Sequence, residues 1–185
     1  MSACPGRPPI TVRLGGRVLV DNPRLRLHED TVRMPTGRES THWKVDYKLR
    51  GVGVIPVQDD GRVLLGLHYR YCPGVWTWEI VAGGVEPGED VEQTARRELV
   101  EEAGCTARTL EFLVDYHPAP GLGNEHFCVY IARGLERVDG EIDADEIAEL
   151  KSFTWDEVQD LVARRALLDG LTLTSLHVAR ARGLI

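Results

Sequence analysis

No stretch of about 18 uninterrupted apolar residues, the length a membrane-spanning helix needs, occurs anywhere in the 185-residue chain. The first nine residues also lack the apolar run of about 7 to 15 residues that a secretory signal requires, and carry Pro5, Pro8 and Pro9 instead. The expectation is a soluble, cytoplasmic protein with no membrane partner. Cysteine is scarce as well: Cys4, Cys72, Cys105 and Cys128 lie far apart, with no CxxC pair and no histidines grouped at ligand spacing. Neither a zinc site nor a disulfide framework is suggested, and the four read as ordinary thiols. Positive charge is in deficit, with 22 Lys and Arg against 29 Asp and Glu and a formal net charge of -7. A nucleic-acid polymer is therefore not an expected partner, because a phosphate backbone needs a basic face. Small anionic substrates remain compatible if metal ions screen them.

What is present is enough apolar material, 43% of residues, for one domain of ordinary size with a real core. Residues 10–20 read as two short strands around Gly15-Gly16, which would form a hairpin turn. Residues 24–33 and 41–48 alternate polar and apolar side chains, and 51–57 and 62–68 flank the turn Asp59-Asp60-Gly61. Asp90 to Ala103 is the clearest helix, with Asp90 as N-cap and Gly104 at the stop. Strands are expected to resume at 110–116 and 126–132. Helices are expected at 155–168 and 175–182. Strands, one central helix, strands and terminal helices together predict a mixed α/β (α+β) sandwich rather than a regular βαβ array.

Residues 83–105 carry the chemistry. At 100° per residue Val91, Ala95, Leu99 and Ala103 form an apolar stripe, and Glu98 and Glu102 project within roughly a right angle of its centre. Two like charges one turn apart repel unless a cation sits between them. A divalent metal resolves that conflict, and Mg²⁺ suits hard carboxylate oxygens, with Mn²⁺ as a substitute. The alternative is a solvated acidic face paired with Arg96 and Arg97.

The same segment resembles the full Nudix box: Gly83, five residues, Glu89, seven residues, Arg97-Glu98, an apolar residue, any residue, Glu101-Glu102, any residue, Gly104 and an apolar position filled by Cys105. The resemblance implies a Nudix α/β/α sandwich with a mixed central sheet. It implies that Glu98, Glu101 and Glu102 serve as catalytic metal ligands, that the backbone carbonyl of Ala82 is a further ligand, and that Arg97 and Glu89 are partners within the box. A pair between Arg97 and Glu89 would hold the loop against the helix.

The flanks resemble the ADP-ribose pyrophosphatase branch of that family over roughly residues 17 to 170. The resembling stretches are 61–65, 68–71, 78–89 and Pro118-Ala-Pro120-Gly121 followed by Asn124-Glu125; Ile80-Val81 stands where the branch usually has Leu-Pro. The resemblance implies metal-dependent hydrolysis of the pyrophosphate of a nucleoside diphosphate sugar, with ADP-ribose leading and GDP-mannose, UDP-glucose or ADP-glucose as alternatives. A non-catalytic nucleotide-sugar-binding domain is a third reading, disfavoured because every box carboxylate is retained. Candidate substrate-binding residues are Arg70, whose fork of donors suits pyrophosphate, Trp78, Glu79, Pro120, Gly121 and Glu125. Trp76, Trp78 and Tyr71 offer faces for a base, and the Pro120-Gly121 loop would shape a pocket for the second ribose. Catalysis also needs a group that takes a proton from water, and Asp143, Asp145 and Glu146 are ranked together for it. His68, His117 and His126 are left outside the catalytic set. Residues 1–9 are expected to be a flexible tail, 10–48 an extra antiparallel sheet through which a homodimer forms, and 49–185 the catalytic domain.

Overall fold

The computed structural model describes residues 10–138, 142 and 145–185, so the expected tail at 1–9 and the candidate Asp143 lie outside the described residues. The elements are β1 (Val12–Asp21), β2 (Leu25–Arg33), β3 (Glu39–Tyr47), β4 (Gly51–Pro56), β5 (Val63–Arg70), β6 (Val75–Glu79), β7 (Val81–Gly84), α1 (Val91–Ala103), β8 (Cys105–Tyr116), β9 (Phe127–Arg137), β10 (Glu149–Phe153), α2 (Trp155–Ala163) and α3 (Gly170–Ala181). Two compact units emerge. The first runs to Lys48 and takes in Ala119–Glu125; the second is Leu49–Pro118 with His126–Ile185. Among the described residues no helix is long and apolar enough to cross a membrane.

In the first unit β1, β2 and β3 form an antiparallel sheet in that order. The expected hairpin at Gly15-Gly16 is not formed; β1 runs straight through it and pairs with β2 along its length, with an irregularity between Arg13 and Gly15. The glycine serves a close approach instead, because a Cβ on Gly16 would lie 2.3 Å from Asp30 Oδ1 and 2.6 Å from the Glu29 carbonyl. The turn falls later, where Asn22 Oδ1 accepts from the N–H groups of Arg24 and Leu25. Ala119–Glu125 is tied to β3 by Val45 N–H donating to the Leu122 carbonyl and by Tyr47 N–H donating to Asn124 Oδ1.

The second unit is built on a mixed sheet ordered β7-β4-β9-β8, in which β4 runs parallel to β9 and the other pairs are antiparallel. A smaller antiparallel sheet orders β10-β5-β6. Strand β4 is buried on both faces, and its alternation assigns each face a core. Val52 and Val54 pack with Ala95, Leu99 and Ala103 of α1. Ile55 packs with Leu65 of the smaller sheet, Leu161 of α2 and Leu176 of α3. Each such fully buried branched side chain contributes roughly 2 kcal/mol.

Helix α1 starts and stops where the sequence says it should. The Asp90 carboxylate accepts from Glu92 and Gln93 N–H, Gln93 Oε1 accepts from Asp90 N–H, and Gly104 ends the helix at φ +58°. The two C-terminal helices differ from expectation. Helix α2 ends at Ala163 rather than near 168, because Arg165 adopts φ +59° and Ala166 turns back to donate to the Leu161 carbonyl. Helix α3 starts at Gly170, capped by Asp169, earlier than the expected 175. The non-helical link between them brings Leu168 and Asp169 onto the site described next.

Candidate active site

Three of the buried positions of α1, Thr94, Glu98 and Glu102, form a polar row beside the apolar Ala95, Leu99 and Ala103. A carboxylate buried in that way must be held by donors. Glu102, only 3% exposed, accepts a 2.9 Å hydrogen bond at Oε2 from Ala82 N–H. Ala82 pairs with Gly53 across the β4–β7 ladder. In an antiparallel strand the N–H and C=O of one residue point the same way, so the Ala82 carbonyl faces the Glu102 side rather than β4. Burial drives the Glu102 carboxyl up to about 8, and the neighbouring Glu98 and Glu146 carboxylates add to the rise. Burial raises Glu98 too, against the pull of Arg97.

Glu98 lies over Gly83, where a Cβ would sit 1.8 Å from its Oε1 and 2.1 Å from its Cδ. The missing side chain at Gly83 is thus the cradle of the Glu98 carboxylate. Arg97 organises the rest. Its Nε and Nη2 donate to the two Glu89 oxygens at 3.0 and 3.1 Å, and its Nη1 donates to Glu98 at 2.7 Å and Glu101 at 2.8 Å. Nη2 also reaches the Gly84 carbonyl at 3.2 Å, so one guanidinium pins the loop, the end of β7 and the helix together. The Arg97 guanidinium, with Thr94, holds the Glu89 carboxyl down at about 2. Glu101 is half exposed and meets this network through Arg97.

The smaller sheet supplies the other wall. On β5 and β6 the residues His68, Arg70, Thr77 and Glu79 line one cavity of about 770 Å³, together with Asp145, Glu146 and Asp169. Arg70 donates to the buried Glu79 through Nε at 2.8 Å and Nη2 at 2.5 Å, which leaves Nη1 for a ligand. Burial raises the Glu79 carboxyl even beside this cation. Glu79, taken from sequence as a substrate contact, is therefore the residue that orients Arg70. Arg70 also feels Glu102 and Asp169, so the cavity adjoins the acidic row of α1.

Trp78 is a correction. Strand alternation turns it away from Thr77 and Glu79 into the core, 8% exposed, where it meets Phe153 edge to face at 4.9 Å. Trp76 and Tyr71 stay at the cavity, exposed. Asp145 and Glu146 line it, and of the two Glu146 acts on both Glu98 and Glu102. Pro120, Gly121 and Glu125 belong to the first unit. His126 Nε2 pairs with Asp115 at 3.0 Å, and its ring lies 4.8 Å from that of His117. Neither histidine is among the residues lining the cavity.

Sequence reasoning did not single out Thr77, set His68 outside the catalytic set, and passed over Asp169. The first two share the strand face of Arg70 and Glu79, and a period-two reading outward from Arg70 reaches His68. Asp169 reaches the cavity only through the tertiary fold and leaves no local signal.

His68 is 3% exposed and its Nε2 has no partner among the described residues. Burial, followed by the nearby Arg70, lowers its pKa from 6.5 to about 4. Between those values the unfolded chain binds the extra proton, so stability is full above about 6.5 and is lost as the pH falls toward 4, by at most roughly 3 kcal/mol. Urea midpoints measured from pH 7 to pH 4.5 should fall further for the wild type than for His68→Gln; parallel curves would remove this assignment.

A carboxylate row on α1 and an arginine-bearing cavity on the smaller sheet together suit chemistry on a phosphate-bearing ligand, and comparison with known proteins gives the class. The NUDIX domain model matches residues 47–172. The chain is 32% identical to the ADP-ribose pyrophosphatase of Bacillus subtilis (strain 168), over 82% of this chain and 82% of that protein. Identity is 34% to the ADP-ribose pyrophosphatase of Mycobacterium tuberculosis, over 83% and 72%. It is 32% to a CMP-5'-(N-acetyl-N-hydroxy-3-aminopropyl)phosphonate hydrolase of Streptomyces rubellomurinus, over 87% and 75%. The fold matches the crystal structure of an ADP compounds hydrolase with a TM-score of 0.82 at 19% identity, over 95% of this chain and 97% of that one. The chain belongs to the Nudix family and is a hydrolase similar to the ADP-ribose pyrophosphatases.

Proposed function

We propose that the protein hydrolyses the pyrophosphate bond of a nucleoside diphosphate sugar, with ADP-ribose the leading substrate and AMP and ribose 5-phosphate the products. The observation that carries this reading is that Arg70 and Glu146, which line the cavity, both interact electrostatically with the buried Glu102, and Glu146 with the buried Glu98 as well.

The donor set fits a divalent cation. Among the described residues no three His, Cys, Asp or Glu side chains already converge on one point, since Glu98 and Glu101 turn onto Arg97 and Glu102 onto Ala82 N–H. Burial nevertheless penalises both Glu98 and Glu102 as anions one turn apart, and a cation between them relieves it. Glu98, Glu102, Glu101 and the Ala82 carbonyl are hard oxygen donors that suit Mg²⁺, with Mn²⁺ as substitute. Such a cation supplies charge neutralisation at the phosphate oxygens and eases loss of a proton from water.

The chain's own residues do the rest. Arg70, fixed by Glu79, presents Nη1 to the pyrophosphate. An acid of the segment holding Asp143, Asp145 and Glu146 takes the proton as water attacks phosphorus and the bridging P–O bond breaks, and Glu146 has the best placement among the described residues. Arg97 keeps Glu98, Glu89 and the end of β7 at Gly84 in register. The substrate-binding roles of Pro120, Gly121 and Glu125 rest on the resemblance alone. Turnover on ADP-ribose, ADP-glucose, UDP-glucose and GDP-mannose tests the reading. ADP-ribose should have the highest kcat/KM; a strong preference for another sugar would replace it as substrate and keep the chemistry.

The protein works as a homodimer in this proposal. Strand β1 is an edge strand of ten residues with Val12, Leu14, Val18, Leu19 and Val20 exposed. An apolar edge of that length invites pairing and needs a cover, which a second copy provides. Sedimentation equilibrium at micromolar concentration should return twice the chain mass, and a monomer would end the dimer proposal.

A further inference from the structure

Part of the lining of the cavity is formed by the N-terminal end of α3, through Leu168, Asp169 and Gly170. Asp169 caps that helix, accepting from Thr172 N–H at 2.7 Å and from Thr172 Oγ1 at 2.7 Å. Thr172 Oγ1 in turn accepts from Ile80 N–H at 3.0 Å, and Leu168 N–H donates to Thr77 Oγ1 at 2.9 Å. Asp169 is therefore locked to β6 and β7 on one side and to its own helix on the other. Both of its hydrogen bonds fall on Oδ2; among the described residues Oδ1 accepts none. Its carboxylate interacts electrostatically with His68, Arg70 and Glu79, which line the same cavity. His68 lines the same cavity, with its Nε2 buried and unpartnered among the described residues, 3.0 Å from the place a Cβ on Gly66 would take, so it backs the wall rather than meeting a ligand.

These groups have a definite chemical preference. Asp169, Asp145 and Glu146 give the lining three carboxylates that would repel a second anion, while Arg70 offers a cationic fork. A ligand that places a phosphate at Arg70 and then presents hydroxyl donors satisfies both. We propose that Asp169 reads the hydroxyls of the sugar half of the substrate just beyond the phosphate held by Arg70. This rests on the pyrophosphatase reading above, and it moves the sugar contact from the Pro120-Gly121 segment, where the sequence puts it, to the cap of α3. Asp169 is a specificity residue here and touches the sugar rather than the reacting phosphorus.

The test is binding to the full chain, followed by calorimetry with two probes, ribose 5-phosphate and methyl phosphate, which share the phosphate and differ in the hydroxyls. Asn caps helices as well as Asp does, so Asp169→Asn keeps the cap while placing an amide donor where Oδ1 accepts; Asp169→Ser, also a good cap, serves as the second variant. The wild type should bind ribose 5-phosphate about tenfold or more tighter than methyl phosphate, the scale of one hydrogen bond to a charged group. Both variants should lose that preference while their affinity for methyl phosphate stays within about twofold of the wild-type value. An undiminished preference in both variants, an equal loss for both probes, or no preference in the wild type would overturn the proposal. Failure of the pyrophosphatase reading shows separately, as absence of wild-type turnover on the nucleotide sugars.

Discussion

Glu102→Gln should cost turnover on the order of a hundred- to a thousandfold, the scale on which removal of one electrostatic contributor acts, while leaving the fold intact. The side chain is buried against β7, and its one hydrogen bond among the described residues, from Ala82 N–H, needs only an acceptor. The glutamine carbonyl oxygen supplies that acceptor at the same length. What disappears is the charge, whose burial beside Glu98 and Glu146 opposes folding in the absence of a cation. The melting temperature of metal-free Glu102→Gln should therefore equal or exceed that of the wild type. A residue kept for packing would behave in the opposite way, losing stability and leaving kcat nearly unchanged. Steady-state kinetics with ADP-ribose and a thermal melt of the same preparation separate the two cases.

Gly83→Ala should be almost as damaging to activity, by about a hundredfold, although a single methyl is added on a strand. The new Cβ would fall 1.8 Å from Glu98 Oε1, a distance no pair of atoms tolerates. The obstructing atoms are the end of a side chain, so the conflict is relieved by swinging the Glu98 carboxylate away rather than by moving the sheet. Glu98 then leaves its place beside Arg97 Nη1 and the row it shares with Glu102. The stability loss should be small, about 1 kcal/mol, and the kinetic loss should appear in kcat more than in KM. A variant with wild-type kcat would show that Glu98 has no need of its cradle. The contrast with Gly37 is instructive, since nothing lies within 4 Å of a Cβ built there and its need for glycine is its φ of +84° alone.

Legibility in the sequence followed the range of the interactions. Helix α1 could be read to the residue because its cap, its stop and its apolar stripe are all local, and the Glu89–Arg97 pair lies within the same short segment. The hairpin expected at Gly15-Gly16 failed because a glycine pair signals either a turn or a close backbone approach, and only the partner strand decides which. Trp78 was misassigned for a related reason. An aromatic next to a motif looks like a ligand platform, yet its face of the sheet is fixed by register with β5, where Trp78 opposes Leu67 and Glu79 opposes Gly66. The same register puts Arg70, His68, Thr77 and Glu79 on one face, whereas the Arg70–Glu79 pair, offset by four positions, depends on the reach of the arginine side chain. Asp169 is beyond any local pattern, since it joins the cavity through hydrogen bonds that link Thr172 to Ile80 and Leu168 to Thr77.

The central claim is that the acidic row of α1 and the arginine of β5 cleave a pyrophosphate with the help of a divalent cation. The most direct test is to incubate purified protein with ADP-ribose, with Mg²⁺ and with excess chelator, and to resolve the products. The account predicts AMP and ribose 5-phosphate in equal amounts with the cation and neither with the chelator. Release of free adenine or ADP, or cleavage that proceeds equally well in chelator, would contradict it.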